Sequence, residues 1–134
     1  MERALRFLLS RDDIGHQRGY WVVASALREA GIEVIVGGMQ LPKEIAETAL
    51  QEDVDIIGYR IMQGAPAVLS GILLEKMKEK GIEDIPVVVG GIISKKEDAE
   101  LRAMGAKDVF HPLTPLDKIV ESIKGIGERI PAKK

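Results

Sequence analysis

The chain has 134 residues, 46% hydrophobic and 30% charged, with a formal net charge of −2, the make-up of an ordinary globular domain with room for one core. A charge this close to neutral removes the electrostatic case for nucleic acid or an anionic membrane surface. The lack of cysteine excludes disulfides and thiolate metal sites, and no apolar run approaches the roughly 18 residues that span a bilayer.

Arg3, Arg6, Arg11, Asp12 and Asp13 interrupt the N-terminal apolar segment. That segment therefore lacks a signal-peptide pattern, and the expected compartment is the cytoplasm. The first strand is expected over residues 5–9. Val22, Val23, Ala26, Leu27 and Ala30 then recur at helical spacing, with Gly31 as the stop. Residues 33–36 form the second strand. Pro42 opens the second helix, with Ile45, Ala49 and Leu50 facing inward. Residues 54–58 are the third strand. Pro66 opens the third helix, which carries Leu69, Ile72, Leu73 and Met77 up to Gly81. Residues 86–89 are the fourth strand, and a helix over 95–104 stops at Gly105. Residues 108–110 are the fifth strand, followed by a helix that Pro115 opens, with Ile119, Ile123 and Ile126 on one face. The tail Pro131-Ala132-Lys133-Lys134 reads as disordered, which leaves 1–130 as a single domain.

The strands are short, rich in Val and Ile, and continuously apolar, as strands buried on both faces are. Five strand–helix alternations imply a flavodoxin-like α/β fold. Its parallel sheet has the order 2-1-3-4-5, with helices on both faces. Ligands on such sheets sit at the carboxyl ends of the strands, near the switch point. The loops to examine are therefore 10–19, 59–65, 90–94 and 111–114. A phosphorelay receiver needs an aspartate at the end of strand three and a lysine after strand five. Here strand three ends Ile57-Gly58-Tyr59, and Pro112 follows His111. A flavodoxin needs a hydroxyl- and glycine-rich loop after strand one, where this chain has the acidic Ser10-Arg11-Asp12-Asp13. A GxGxxG dinucleotide motif is absent.

A fourth layout fits. His16 and Gly19 follow strand one, Met62 follows strand three, and Gly90-Gly91 follow strand four. With Gly15-His16-Gln17-Arg18-Gly19, Gln40-Leu41-Pro42, Glu52-Asp53-Val54-Asp55 and Val89-Gly90-Gly91-Ile92, the chain closely resembles the cobalamin-binding domain of the methylmalonyl-CoA mutase family. That family's signature runs D-x-H-x-x-G, then S-x-L, then G-G. The resemblance covers nearly the whole chain, and its size is that of the small subunit of a two-subunit mutase. It implies an adenosylcobalamin-dependent acyl-CoA mutase in which this chain holds the cofactor and a separate barrel subunit binds the acyl-CoA. Self-association is also open. His16 would be the lower axial ligand to cobalt. Asp13, Gly15, Gln17, Arg18, Gly19, Arg60, Met62, Gly90, Gly91 and His111 would contact the cofactor. The dimethylbenzimidazole tail would enter a slot between sheet and helices, and glycines 90 and 91 would let backbone approach it.

Three positions depart from the family pattern. Ile14 stands where the family has the aspartate that orients the ligating histidine, a partner whose loss typically lowers metal affinity about 10–100-fold. Arg60 stands at the serine of S-x-L, and the last loop reads His111-Pro112-Leu113-Thr114. The alternative reading is a divergent module that has kept the fold and lost the corrin, serving a protein interaction or another phosphorylated ligand. Ile14, Arg60, His111 and Leu113 would then close the slot. Aromatics are only 4% of the chain, so adjacent Tyr20 and Trp21 are either a locally packed pair or a docking patch.

Overall fold

The computed structural model describes residues 4–15 and 17–131. Strands and helices alternate along the chain: β1 (Arg6–Arg11), α1 (Gln17–Glu29), β2 (Glu33–Met39), α2 (Pro42–Gln51), β3 (Ile56–Ile61), α3 (Pro66–Glu79), β4 (Val87–Gly91), α4 (Lys95–Met104), β5 (Asp108–Phe110) and α5 (Leu116–Glu128). All strand pairs are parallel and the order is β2-β1-β3-β4-β5, as the alternation implied. Among the described residues no helix is long and apolar enough to cross a membrane.

Strand residues alternate between two cores. Leu8, Ile57, Tyr59, Ile61, Val87 and Val89 pack with Ile45, Ala46 and Ala49 of α2, Leu73 and Met77 of α3 and Leu101 of α4. Phe7, Leu9, Ile56 and Val88 pack with Tyr20, Ala24 and Leu27 of α1 and Ile119, Ile123 and Ile126 of α5. Helices α2, α3 and α4 therefore cover one face, and α1 and α5 the other. Local signals agree with these positions. Prolines open α2 and α3, where a missing N–H leaves nothing unbonded. At α4 the Ser94 hydroxyl accepts from the Glu97 N–H at 3.1 Å, and the Glu97 carboxylate accepts from the Ser94 N–H at 2.9 Å, a reciprocal cap.

Several sequence expectations shift. The first four strands run two or three residues further than the apolar runs, and the fifth keeps the expected bounds, so Tyr59, placed in a loop by sequence, is buried within β3. The reason is that ladder hydrogen bonds continue past the apolar residues, through Ser10 and Arg11 on β1 and Tyr59 and Arg60 on β3. Leu50, expected inward, is 50% exposed, and Ile72 and Val22 are also exposed. Each lies at the margin of its helix's apolar stripe, past the line of contact with the sheet. The face of α1 that is fully covered is Tyr20, Ala24 and Leu27. Of the tail, Ala132, Lys133 and Lys134 lie outside the described residues.

The pair β1–β2 carries a bulge. Leu9 is opposite Val36 and Ser10 is opposite Gly38, so Gly37 is the extra residue. The Tyr20 hydroxyl bridges this break, donating to the Leu9 carbonyl and accepting from the Gly38 N–H at 3.0 Å. A buried side chain thus pairs two backbone groups that the interrupted ladder leaves over. Burial raises the pKa of Tyr20, the Gly38 hydrogen bond and nearby arginines opposing it in part. Trp21, stacked edge-on against Tyr20 at 5.5 Å, is 45% exposed. The aromatic pair therefore divides into one core residue and one surface residue.

Candidate functional site

On the α1/α5 face the parallel register aligns two rows across the sheet. The inner row is Leu9, Gly58 and Val88, and the outer row is Arg11, Arg60, Gly90 and Phe110. Glycine at 58 makes room for the Phe7 ring, which lies where a Cβ would be, and glycine at 90 leaves the sheet without a side chain beneath α1 and α5. A slot of about 350 Å³ results, floored by Leu9, Gly58, Val88 and Gly90 and walled by Tyr20 and Val23 of α1 and by Leu116, Ile119 and Ile123 of α5. Its mouth lies at the carboxyl edge, beside Gly19, Arg60, Met62 and His111. A mostly apolar concavity of this size with a few polar groups at one end is the usual form of a small-molecule site.

The two glycines of the fourth strand serve different ends. A Cβ at Gly91 would lie 2.9 Å from the Ile61 carbonyl carbon and closer still to its oxygen, at a φ of +136°. Gly91 is therefore demanded by the packing of β4 on β3. A Cβ at Gly90 would meet nothing nearer than the Phe110 carbonyl oxygen at 3.7 Å. The fold tolerates a side chain at 90, and its absence only keeps the slot open.

The loops at the mouth are held by Asp12. Its carboxylate accepts from the N–H groups of Met62 at 2.7 Å, Gln63 at 3.0 Å and Gly64 at 2.6 Å, tying the loop after β3 to the end of β1. The same charge and, above all, burial push Tyr59 up to about 12. Asp13 is buried, its carboxylate 3.5 Å from where a Cβ on Gly15 would sit, and it acts electrostatically on Arg60. The Arg60 guanidinium lies on the first turn of α1, with Nη2 2.8 Å from where a Cβ on Gly19 would sit. Burial lowers its pKa, with Asp13 the strongest opposing influence. His111 Nε2 is 2.7 Å from Asp98 Oδ2, and Arg102 Nε donates to the other oxygen of that carboxylate at 2.6 Å.

Of the residues expected from sequence, Gly19, Arg60, Met62, Gly90, Gly91 and His111 come together at the slot. Asp13 and Gly15 lie just behind its mouth. Gln17 caps the loop by donating to the Ile14 carbonyl at 3.1 Å, and Arg18 borders an outer groove with Trp21 and Glu29 rather than the slot. His16 lies outside the described residues. Sequence reading missed Leu9, Gly58, Val23, Phe110 and Ile119 as lining residues. Gly58 carried a signal, because a glycine inside an apolar strand often marks close approach by a ligand or another chain segment. The closure proposed in the alternative reading does not occur. Ile14 is 70% and Leu113 94% exposed, His111 is engaged by Asp98 at the rim, and the slot stands open.

Fold and site together define an open α/β sheet whose carboxyl edge presents a deep apolar slot beside a histidine-bearing loop. The family model described as "B12 binding domain" matches residues 7–130, and the chain belongs to that family. It is 36% identical over 124 residues to the 2-hydroxyisobutanoyl-CoA mutase small subunit of Aquincola tertiaricarbonis, covering 91% of each chain. It is 34% identical to the pivalyl-CoA mutase small subunit of Xanthobacter autotrophicus, covering 98% of this chain and 90% of that one. A cobalamin-binding protein from Desulfitobacterium hafniense superposes with a TM-score of 0.76 at 16% identity, over 92% of this chain and 60% of that one. A response regulator from Desulfuromonas acetoxidans superposes with 0.77 at 21% identity, over 95% and 99%. The shared fold therefore does not separate these classes; family membership rests on sequence.

Proposed function

We propose that this chain is the cobalamin-binding small subunit of an adenosylcobalamin-dependent acyl-CoA mutase, working with a separate catalytic subunit that binds the acyl-CoA. The observation that carries the reading is the open slot over Gly90, kept clear by a glycine that the protein's own packing does not require. The match over most of their length to two mutase small subunits supports the division into two chains.

In this reading the slot takes the dimethylbenzimidazole end of the cofactor, against Leu9, Val88, Val23 and Ile119. His16, in the loop after β1, would be the residue that ligates cobalt. Asp13, buried beside Gly15, supplies the orienting carboxylate that Ile14 cannot. Asp12 holds the Met62–Gly64 backbone in place at the mouth. The bound cofactor supplies a cobalt–carbon bond and the radical chemistry that follows its cleavage. The protein's part is to position, orient and shield.

Titrating the purified chain with aquocobalamin and adenosylcobalamin tests this. Corrin absorption should move to that of a histidine-ligated form, and corrin should co-elute on gel filtration. In His16→Ala the spectral change should vanish. Wild-type protein that neither shifts the spectrum nor retains corrin would sink the proposal.

A further inference from the structure

The outer row of the slot places two arginines side by side. Arg11 and Arg60 are register partners on β1 and β3, on the same face as Leu9 and Gly58. Neighbouring strands lie about 4.8 Å apart, and like charges directly opposite destabilise a sheet. Arg11 opposes the charge on Arg60, as expected at that spacing. Arg11 is 8% exposed, its guanidinium 4.5 Å above the Tyr20 ring. Among the described residues its buried Nε and Nη1 meet no acceptor. Asp13 and, less strongly, Asp12 both favour the charge on Arg60, although Asp12 also accepts from three backbone N–H groups. Arg60 also faces the first turn of α1, whose end carries partial positive charge. Arg60 thus lines the mouth of an otherwise apolar slot with a second guanidinium beside it, that of Arg11, whose buried donors meet no acceptor among the described residues, an arrangement that suits an anion. Guanidinium groups pair with phosphate through two parallel hydrogen bonds, a geometry matched by few other groups.

We propose that Arg60, backed by Arg11, forms an anion-binding pair that takes the phosphodiester linking a corrin ring to its nucleotide tail. The pair makes this chain selective for corrinoids that carry the tail. The inference rests on reading the slot as the cobalamin-tail site. It assigns a specificity role to Arg60, a position where the resembled family has serine.

The test uses the full chain, titrated calorimetrically with hydroxocobalamin, with cobinamide, which keeps the corrin and lacks the nucleotide, and with inorganic phosphate. Wild type should prefer cobalamin. Arg60→Gln should weaken cobalamin about 10- to 100-fold, the scale of losing a hydrogen bond to a charged group, and leave cobinamide unchanged. The phosphorus resonance of bound cobalamin should shift on wild type and return towards its free value on R60Q. R60Q binding cobalamin as wild type does, or weakening both corrinoids alike, overturns the proposal. Inorganic phosphate binding as tightly as cobalamin assigns the pair to free phosphate and overturns it too. Wild type binding both corrinoids equally removes this inference and leaves corrin binding intact, whereas wild type binding neither removes both. Melting temperatures establish that R60Q is folded. Should it not fold, Arg60→Lys and the wild-type phosphorus shift decide, and an unshifted resonance overturns the proposal.

Discussion

Gly90 and Gly91 are adjacent, yet alanine at each should act in opposite directions. At 90 the backbone is not in the positive-φ region, and an added Cβ finds ordinary contacts at 3.7 and 3.8 Å to Phe110. Replacing a glycine there with alanine reduces the freedom of the unfolded chain and stabilises by about 0.4–1 kcal/mol. At 91 the φ of +136° and the Ile61 carbonyl both oppose a side chain. Backbone strain alone costs about 1–3 kcal/mol, and relief of the collision must separate β4 from β3. A total near 3 kcal/mol or more is expected. Urea unfolding, compared at constant m-value, should place the G90A midpoint above wild type and G91A well below. Gly90→Leu extends the comparison to function. Its side chain enters the slot, and overfilling a packed site costs about 1–3 kcal/mol, roughly 10- to 100-fold in cobalamin affinity. G90A as destabilised as G91A would refute the packing argument. G90L that binds cobalamin with wild-type affinity would refute the placement of the tail.

Tyr20→Phe keeps the ring and removes the hydroxyl that bridges the β1–β2 bulge. Leaving the buried Leu9 carbonyl and the half-buried Gly38 N–H without this partner should cost about 1–3 kcal/mol, with faster amide exchange at Gly38; an unchanged melting temperature would contradict the bridging role. The chain has two tyrosines, both with raised pKa, Tyr59 to about 12. Between pH 10 and 12 the unfolded chain therefore holds fewer tyrosine protons than the folded one, so the tyrosines' contribution to stability should fall as pH rises through this window. Native tyrosinate absorbance should lag that of the urea-unfolded chain, and coincident titration curves would argue against the burial of both rings.

Much of the architecture was legible because its determinants are local. Prolines at 42 and 66, the Ser94–Glu97 cap and continuous Val/Ile runs mark element boundaries through backbone chemistry, and alternating strands and helices restrict how a parallel sheet can close. The family resemblance likewise lies in linear motifs, Gly15-His16-Gln17-Arg18-Gly19 foremost. The exposure of Leu50 and the interior position of Tyr59 were less legible, since they depend on where one element ends against another.

The site shows the division most sharply. Sequence alone determined that glycines, a histidine and an arginine gather at the carboxyl edge of a five-stranded parallel sheet. Only the tertiary structure decided what each does there. Register between β1, β3, β4 and β5 puts Arg11, Arg60, Gly90 and Phe110 in one row. No local rule links those positions, because strand register is set by the packing of both sheet faces together. That packing separates Gly91, which the fold requires, from Gly90, which the slot requires. It also turns Arg60 from a departure in a motif into one half of a charged pair at the mouth of an open cavity.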